Sequence, residues 1–134
     1  MEAEVHVRRP ALLGGLLFVV SAPVHFFVPQ DVSIAISAVT LGMIGGAYIG
    51  FGAQAKDSMT LALELLVAVL FGIAALVGLL WHWIAIPLGL ALHAIWDLLH
   101  HRQIIGARVP RWYIPFCVVY DLSAALFLVM LYAF

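Results

Sequence analysis

The chain has 134 residues, of which 66% are hydrophobic and only 10% are charged, and its formal net charge is -1. Soluble globular domains carry about 25% charged residues, so this composition excludes that class and predicts an integral membrane protein. No basic segment with interleaved aromatic residues is present, which argues against a nucleic-acid partner. The single cysteine, Cys117, excludes an internal disulfide.

Five apolar segments are each long enough to cross a bilayer, which takes about 20 residues. We therefore predict an all-α fold, a single-domain bundle of five transmembrane helices. Pro10 is well placed to start the first helix, and Pro29 ends it. A polar turn between Gln54 and Ser58 separates the second helix from the third. The predicted helices cover residues 10–28, 32–53, 58–80, 84–101 and 112–134.

The second predicted helix carries glycines at four-residue intervals, Gly42, Gly46 and Gly50. Such spacing lets another helix approach closely. We interpret these glycines as a helix-packing face. We predict that the chain can form a homo-oligomer through this face. The alternative is that they are merely permissive.

The basic residues indicate the orientation in the membrane. With five crossings, all six lysines and arginines fall on the side that holds the N-terminus. Basic loops are retained in the cytoplasm, so we predict a cytoplasmic N-terminus and a bacterial inner membrane location. The basic residues are Arg8, Arg9, Lys56, Arg102, Arg108 and Arg111.

The fourth predicted helix ends in a polar stripe. On a helix, His93, Asp97 and His100 fall within about 60° of one another, with His101 beside them. His93 lies about 12 Å and Asp97 about 6 Å deeper than the cytoplasmic end of that helix.

Two carboxylates on other helices lie at overlapping depths. Glu64 on the third helix is about 9 Å from its cytoplasmic end, and Asp121 on the fifth is about 13 Å from its own. A charged residue at mid-helix costs about 2.5–3.5 kcal/mol on insertion scales, and no Lys or Arg lies at this level. Protonation, a bound cation or a water-filled cavity must therefore compensate.

Imidazole and carboxylate ligands are typical of zinc, iron and manganese sites. We predict a divalent metal ion, with zinc as the first choice and iron or manganese as alternatives. The predicted ligands are His93, Asp97, His100 and Asp121. Glu64 and Asp121 are the predicted catalytic residues, with Glu64 as a further ligand or a general base.

Simpler roles remain open for each of these residues. His100 and His101 could be interfacial, and His93 with Asp97 could be a hydrogen-bonded pair that holds helices together. Glu64 could bond locally to Thr60. Asp121 could accept a hydrogen bond from Trp96 or a tyrosine. The sequence assigns no function to His25, His82 or Cys117.

The last third of the chain carries a resemblance. Residues 93–101 (HAIWDLLHH), 109–117 (VPRWYIPFC) and the Tyr-Asp pair at 120–121 resemble a family of small, functionally uncharacterised bacterial integral membrane proteins. That resemblance implies no activity. In its chemistry the predicted site is similar to metal-dependent transmembrane hydrolases such as the alkaline ceramidases, but their seven helices argue against membership.

Three functions follow from these patterns. The first is a metal-dependent membrane enzyme that hydrolyses a lipid or isoprenoid-like substrate at the cytoplasmic leaflet, with membrane lipids as its partners. The second is a small oligomeric transporter that moves protons or cations along intramembrane Asp, Glu and His. The third is a structural or accessory subunit, in which the polar residues only set helix pairing.

Overall fold

The computed structural model describes residues 2–101 and 104–134, with side chains described from residue 7 onward. Over these ranges the secondary structure is helical and contains no strand, which confirms the predicted all-α class. The helices are α1 (Glu2–Ser21), α2 (Val24–Phe27), α3 (Gln30–Ala53), α4 (Ser58–Leu80), α5 (Ala85–His101) and α6 (Tyr113–Ala133).

Four helical segments of the described chain are long and apolar enough to cross a membrane. They are Val7–Phe27, Gln30–Ala53, Ser58–Leu80 and Tyr113–Ala133. The remaining helix, α5, has 17 residues, so it is about 25 Å long. That length is less than the hydrocarbon thickness of a bilayer, about 30 Å.

The first predicted helix differs from the observed one at both ends. Helix α1 begins at Glu2 and passes through Pro10, at which the prediction began. The helix breaks after Ser21, close to Pro23, which has no N–H to donate. The short α2 then turns the chain toward α3.

Close contacts at glycines fix the directions of α3, α4 and α5. Gly45 of α3 lies against Phe71 of α4, and Gly52 lies against Glu64, so the two helices run antiparallel. A tight turn after α4 reverses the chain direction, so that Gly78 near the end of α4 packs on Ile86 near the start of α5. Helix α5 packs against α3, α4 and α6.

Helix α1 runs parallel to α6. Gly14 faces the backbone of Phe116, and the ring of Phe18 lies 5.7 Å from that of Phe127. The N-terminal ends of α1, α4 and α6 therefore meet the C-terminal ends of α3 and α5. The basic residues at this shared end are Arg8, Arg9, Lys56, Arg108 and Arg111. Arg102 lies outside the described residues.

The predicted glycine face of α3 is open in this chain. A Cβ atom added at Gly42, Gly46 or Gly50 meets nothing within 4 Å. The glycines that pack against α4 are Gly45 and Gly52, which the four-residue pattern omits. Association through Gly42, Gly46 and Gly50 stays a prediction.

Glycines of α3 that pack against α4 and glycines that face open space should respond differently to substitution by alanine. The difference is expected in the free energy of unfolding. A Cβ at Gly45 would lie 2.6 Å from Cβ of Phe71, too close to the α4 backbone for a rotamer change to relieve. We expect Gly45→Ala to lower the free energy of unfolding by about 1–3 kcal/mol. The matched control, Gly46→Ala, should be neutral or stabilising by about 0.5–1 kcal/mol. Thermal unfolding in detergent checks both, and equal effects would contradict the packing described here.

Candidate metal centre

Helix α5 carries the polar centre because its polar residues repeat at helical spacing. His93, Asp97 and His100 are four and then three residues apart, so they share one face. All three side chains have no exposed surface. Asp121 on α6 and Glu64 on α4 are equally buried. The structure thus brings all five predicted site residues into the interior.

Three of them form a compact group, the His93–Asp97–Asp121 triad. His93 Nδ1 lies 2.8 Å from Oδ2 of Asp121 and 3.6 Å from Oδ2 of Asp97. The Tyr48 hydroxyl donates a hydrogen bond to Oδ1 of Asp97. One candidate ligand atom from each triad residue lies within 4.8 Å of those from the other two.

Each triad residue keeps one polar atom unused. Within the described part of the chain, Nε2 of His93, Oδ2 of Asp97 and Oδ1 of Asp121 are buried without a hydrogen-bond partner. Buried polar atoms nearly always have one. Three orphaned atoms on three adjacent ligand-type side chains therefore point to a missing binding partner.

Glu64 and His100 form a second, separate pair. Oε1 of Glu64 lies 2.9 Å from Nε2 of His100 and accepts a 2.7 Å hydrogen bond from the backbone N–H of Ala107. Nδ1 of His100 lies 2.9 Å from the carbonyl oxygen of Trp96, which can only accept. Nδ1 must therefore carry a proton, and a further proton lies between His100 and Glu64, on one or the other.

The loop between α5 and α6 folds inward to reach Glu64. Gly106 adopts a φ of 82°, a backbone region that favours glycine. A Cβ atom there would collide with the His100 ring and the Glu64 carboxylate. Because Gly106 has no side chain, the next residue, Ala107, can bury itself and donate to Glu64.

Aromatic rings enclose both groups. The Tyr48 ring centroid lies 5.5 Å from that of His93 and 4.8 Å from that of His100, so Tyr48 stands between the triad and the pair. Phe71 covers His93 at 4.9 Å, and Trp96 covers His100 at 4.8 Å.

The charges of the centre do not balance within the chain. Three carboxylates are fully buried with two imidazoles, and every ion pair they make in the described residues is with a histidine. Even with both imidazoles protonated, at least one negative charge stays uncompensated if all three carboxylates are ionised. Further protons or a bound cation must supply the difference.

The five predicted site residues therefore form two separate groups. The structure brings His93, Asp97 and Asp121 together, whereas His100 pairs with Glu64 instead of facing the same point. Glu64 bonds to the Ala107 backbone rather than to Thr60.

Three other residues named in the sequence analysis have simpler surroundings. His101 is exposed at the end of α5. His82 stacks on Trp83 in the exposed turn between α4 and α5. Cys117 is buried on α6, one turn before Asp121.

Some polar contacts had no sequence signal. The Ala107 N–H belongs to an apolar residue, and its role depends on the fold of the loop. At the opposite end of the bundle, His25 Nδ1 lies 2.6 Å from Oγ of Ser33, which in turn bonds to Tyr132. Because Ser33 and Tyr132 are 99 positions apart, only the packed helices reveal their contact.

Three cavities approach the centre. The first, the loop cavity, has a volume of about 520 Å³ and lies between the α3–α4 and α5–α6 loops. The second, the α4–α5 groove, is apolar and measures about 460 Å³. The third measures about 70 Å³, lies toward the opposite end and is lined by Ser37, Thr40, His25 and Tyr120 among others.

Residues 8–133 match the model of a family described as "Family of unknown function (DUF6010)". The chain belongs to this family. The match extends over all five long helices, well beyond the last third that carried the resemblance. No curated protein and no solved structure matches the chain. Function must therefore be argued from the geometry of the centre.

Proposed function

We propose that this protein is a metal-dependent enzyme of a membrane, which binds one divalent ion at the triad and hydrolyses an ester or phosphoester bond of a lipid or isoprenoid-like substrate. The observation that carries the proposal is the set of orphaned atoms. His93, Asp97 and Asp121 each have one hydrogen-bonded polar atom and one without a hydrogen-bond partner among the described residues.

The residue types suit a metal. The candidate ligand atoms of His93, Asp97 and Asp121 lie within 4.8 Å of one another, and Nδ1 of His93 is the ring nitrogen near both carboxylates. An ion shared by the three residues would take the place of the proton in the His93–Asp121 hydrogen bond. Three protein ligands leave a coordination position open, as in catalytic zinc sites. Zinc is the first candidate, with iron and manganese as alternatives.

A divalent ion would also correct the charge balance. The two positive charges of the ion would offset the negative charges of Asp97 and Asp121. Both of these carboxylates contact His93. Glu64 then shares a proton with His100. In this state no buried carboxylate lacks a compensating charge.

Hydrolysis is the reaction that this set supports most directly. A bound zinc-type ion lowers the pKa of a water ligand and so supplies a nucleophile near neutral pH. When water adds to the ester centre, the bond to the alcohol breaks, one water proton leaves and the alcohol oxygen gains a proton. The Glu64–His100 pair, which holds a shared proton next to Tyr48, can donate that proton and take up another.

We propose the orientation from the charge distribution. The five described basic residues lie at the loop cavity end, which the positive-inside rule assigns to the cytoplasm. The triad and the Glu64–His100 pair then lie in the cytoplasmic half of the bilayer.

Proton or cation transport is a second candidate, which the cavities favour. The loop cavity lies at one end, where its lining residues Gly106 and Ala107 adjoin the Glu64–His100 pair. The small cavity beside His25 and Tyr120 lies toward the other end and reaches Leu90, one turn of α5 before His93. Protonatable residues between two cavities are the parts of a proton relay.

Metal content tests the triad. Purified protein should contain about one divalent ion per chain, measured by elemental analysis, because the triad forms one three-ligand site. Asp97→Asn and Asp121→Asn should lose the ion, since an amide is a weaker ligand of the same shape. Glu64→Gln is the matched control and should keep it. Metal-free wild-type protein, or equal loss in all three variants, would remove the metal centre.

The Glu64→Gln variant separates the two functions. In vesicles of phosphatidylglycerol and phosphatidylethanolamine we expect wild-type protein to release a hydrolysis product, detected by mass spectrometry. Glu64→Gln should reduce that rate by about 10²–10⁴-fold, as for loss of an acid–base group. A pH-sensitive dye inside the same vesicles should show no proton flux. Flux that Glu64→Gln abolishes, without product, would support transport instead.

Cysteine labelling tests the orientation. In a Cys117→Ala background, Lys56→Cys should react with a membrane-impermeant maleimide only from the cytoplasmic side. Trp81→Cys, in the exposed turn at the other end, should react only from outside. The reverse pattern would show that the bundle is inverted.

A further inference from the structure

We infer that the site takes a membrane amphiphile with a phosphate headgroup, which places its headgroup in the loop cavity and one hydrocarbon chain in the α4–α5 groove. This inference rests on the proposed function, since it names the class of lipid on which that centre acts. It is argued from the two cavities, from the helix face that joins them and from one unpartnered donor.

The α4–α5 groove suits a hydrocarbon chain. Its lining is apolar and includes Leu70, Ala74, Leu88 and Leu92, and its volume of about 460 Å³ is within the usual range of ligand sites, about 300–1,000 Å³. It lies on the outer surface of the bundle at membrane depth, where lipid chains have direct access.

Two rings of the polar centre form part of the groove wall. Phe71 lines the groove and contacts the His93 ring from the other side. Trp96 lines it too and contacts the His100 ring. A chain in the groove therefore lies one aromatic ring away from both the triad and the Glu64–His100 pair.

The loop cavity suits an anion. Lys56 and Arg108 line it, and among the described residues neither makes an ion pair with a carboxylate. The carboxylate in the lining is Asp57, which caps α4 by accepting the Thr60 N–H at 2.8 Å. That hydrogen bond holds the pKa of Asp57 below its ordinary value, so Asp57 stays negative. The lining has a net charge of +1, which favours a phosphate over a neutral or cationic headgroup.

One face of α4 joins the two cavities. Thr60 lines the loop cavity, and Val67, Phe71 and Ala74 line the groove. Glu64 lies between them, one turn after Thr60 and one before Val67, so these residues follow a single stripe of the helix. The linkage between headgroup and chain would therefore lie at the level of the buried Glu64–His100 pair.

The dimensions agree with one leaflet. Ala74 is ten residues beyond Glu64 on α4, a distance of about 15 Å. That is half of the hydrocarbon thickness of a bilayer, about 30 Å. A chain that begins at the level of Glu64 and follows the groove to Ala74 thus spans the depth that a single acyl chain occupies.

Trp96 supplies an independent indication. Its Nε1–H is buried and has no hydrogen-bond acceptor in the described ranges, although buried indole N–H groups usually find one. The residue lines the groove near its Glu64 end. The ester or phosphate oxygens of an amphiphile would provide the acceptor that the protein lacks, once the indole turns its N–H toward the groove.

Native mass spectrometry of the full-length protein in detergent tests this binding mode. The probes are dipalmitoyl phosphatidic acid, dipalmitoyl phosphatidylcholine and inorganic phosphate. We expect retention of phosphatidic acid alone. Arg108→Gln should weaken it by about tenfold or more, the equivalent of one charge-assisted hydrogen bond. Leu92→Trp should weaken it similarly by filling the groove.

Each variant has a matched control on the same element. Arg111→Gln removes an exposed cation outside the loop cavity, and Leu98→Trp enlarges an exposed leucine of α5 outside the groove. Both should bind phosphatidic acid as wild type does. Equal loss in test and control variants would overturn the proposed binding mode.

Other outcomes overturn specific parts of the inference. Equal binding of phosphatidylcholine would remove the phosphate-selective headgroup site, and binding of inorganic phosphate that displaces the lipid would indicate a free anion as ligand. A dimer that Leu92→Trp dissociates would show that a second copy covers the groove. His93→Ala separates this inference from the metal centre, because it should lose the ion and still retain phosphatidic acid.

Discussion

The burial of three carboxylates in an apolar bundle is the constraint on which the rest of the centre depends. Glu64, Asp97 and Asp121 have no exposed surface, and an uncompensated carboxylate at membrane depth is costly. Each of them contacts a hydrogen-bonding group from another element. Glu64 contacts the His100 imidazole and the Ala107 N–H, Asp97 the Tyr48 hydroxyl, and Asp121 the His93 imidazole. These contacts join four of the five long helices and one loop. The polar centre therefore also ties these helices together.

That arrangement explains why a loop enters the bundle. Backbone N–H groups in the interior of a helix are already used within that helix, so the helical segments at the level of Glu64 have none to offer it. The α5–α6 loop can provide one because its backbone groups are free of helical hydrogen bonds. Gly106 gives the necessary backbone conformation and leaves room for His100. The loop is thus part of the site, and its residues Gly106 and Ala107 adjoin both the buried pair and the loop cavity.

The sequence predicts the helical class because composition and hydrophobic length are properties of each segment alone. It also identifies His93 and Asp97 as partners, because their spacing places both on one face of α5. The partners across helices are harder to predict. The depth estimates predict that Glu64 and Asp121 lie level with the polar residues of α5. Depth does not specify which side of α5 each carboxylate faces.

Asp121 therefore joins His93, whereas Glu64 meets His100 on the other side of Tyr48. The start of α1 could not be predicted from Pro10, because a proline inside a helix is tolerated where tertiary contacts outweigh the lost hydrogen bond. Contacts such as Ser33 with Tyr132 depend on the complete packing, which no local pattern encodes.

In the proposed membrane-spanning arrangement, the shortness of α5 has a consequence for the surrounding lipid. A helix of about 25 Å beside four longer ones creates a hydrophobic mismatch, which a bilayer relieves by thinning locally. The thinning would be greatest along the exposed face of α5, where the groove lies. Lipids there would have their headgroups drawn inward, toward the level of Glu64. The geometry of one short helix would then reduce the distance that a headgroup must move to reach the centre, and would favour membranes of lower thickness.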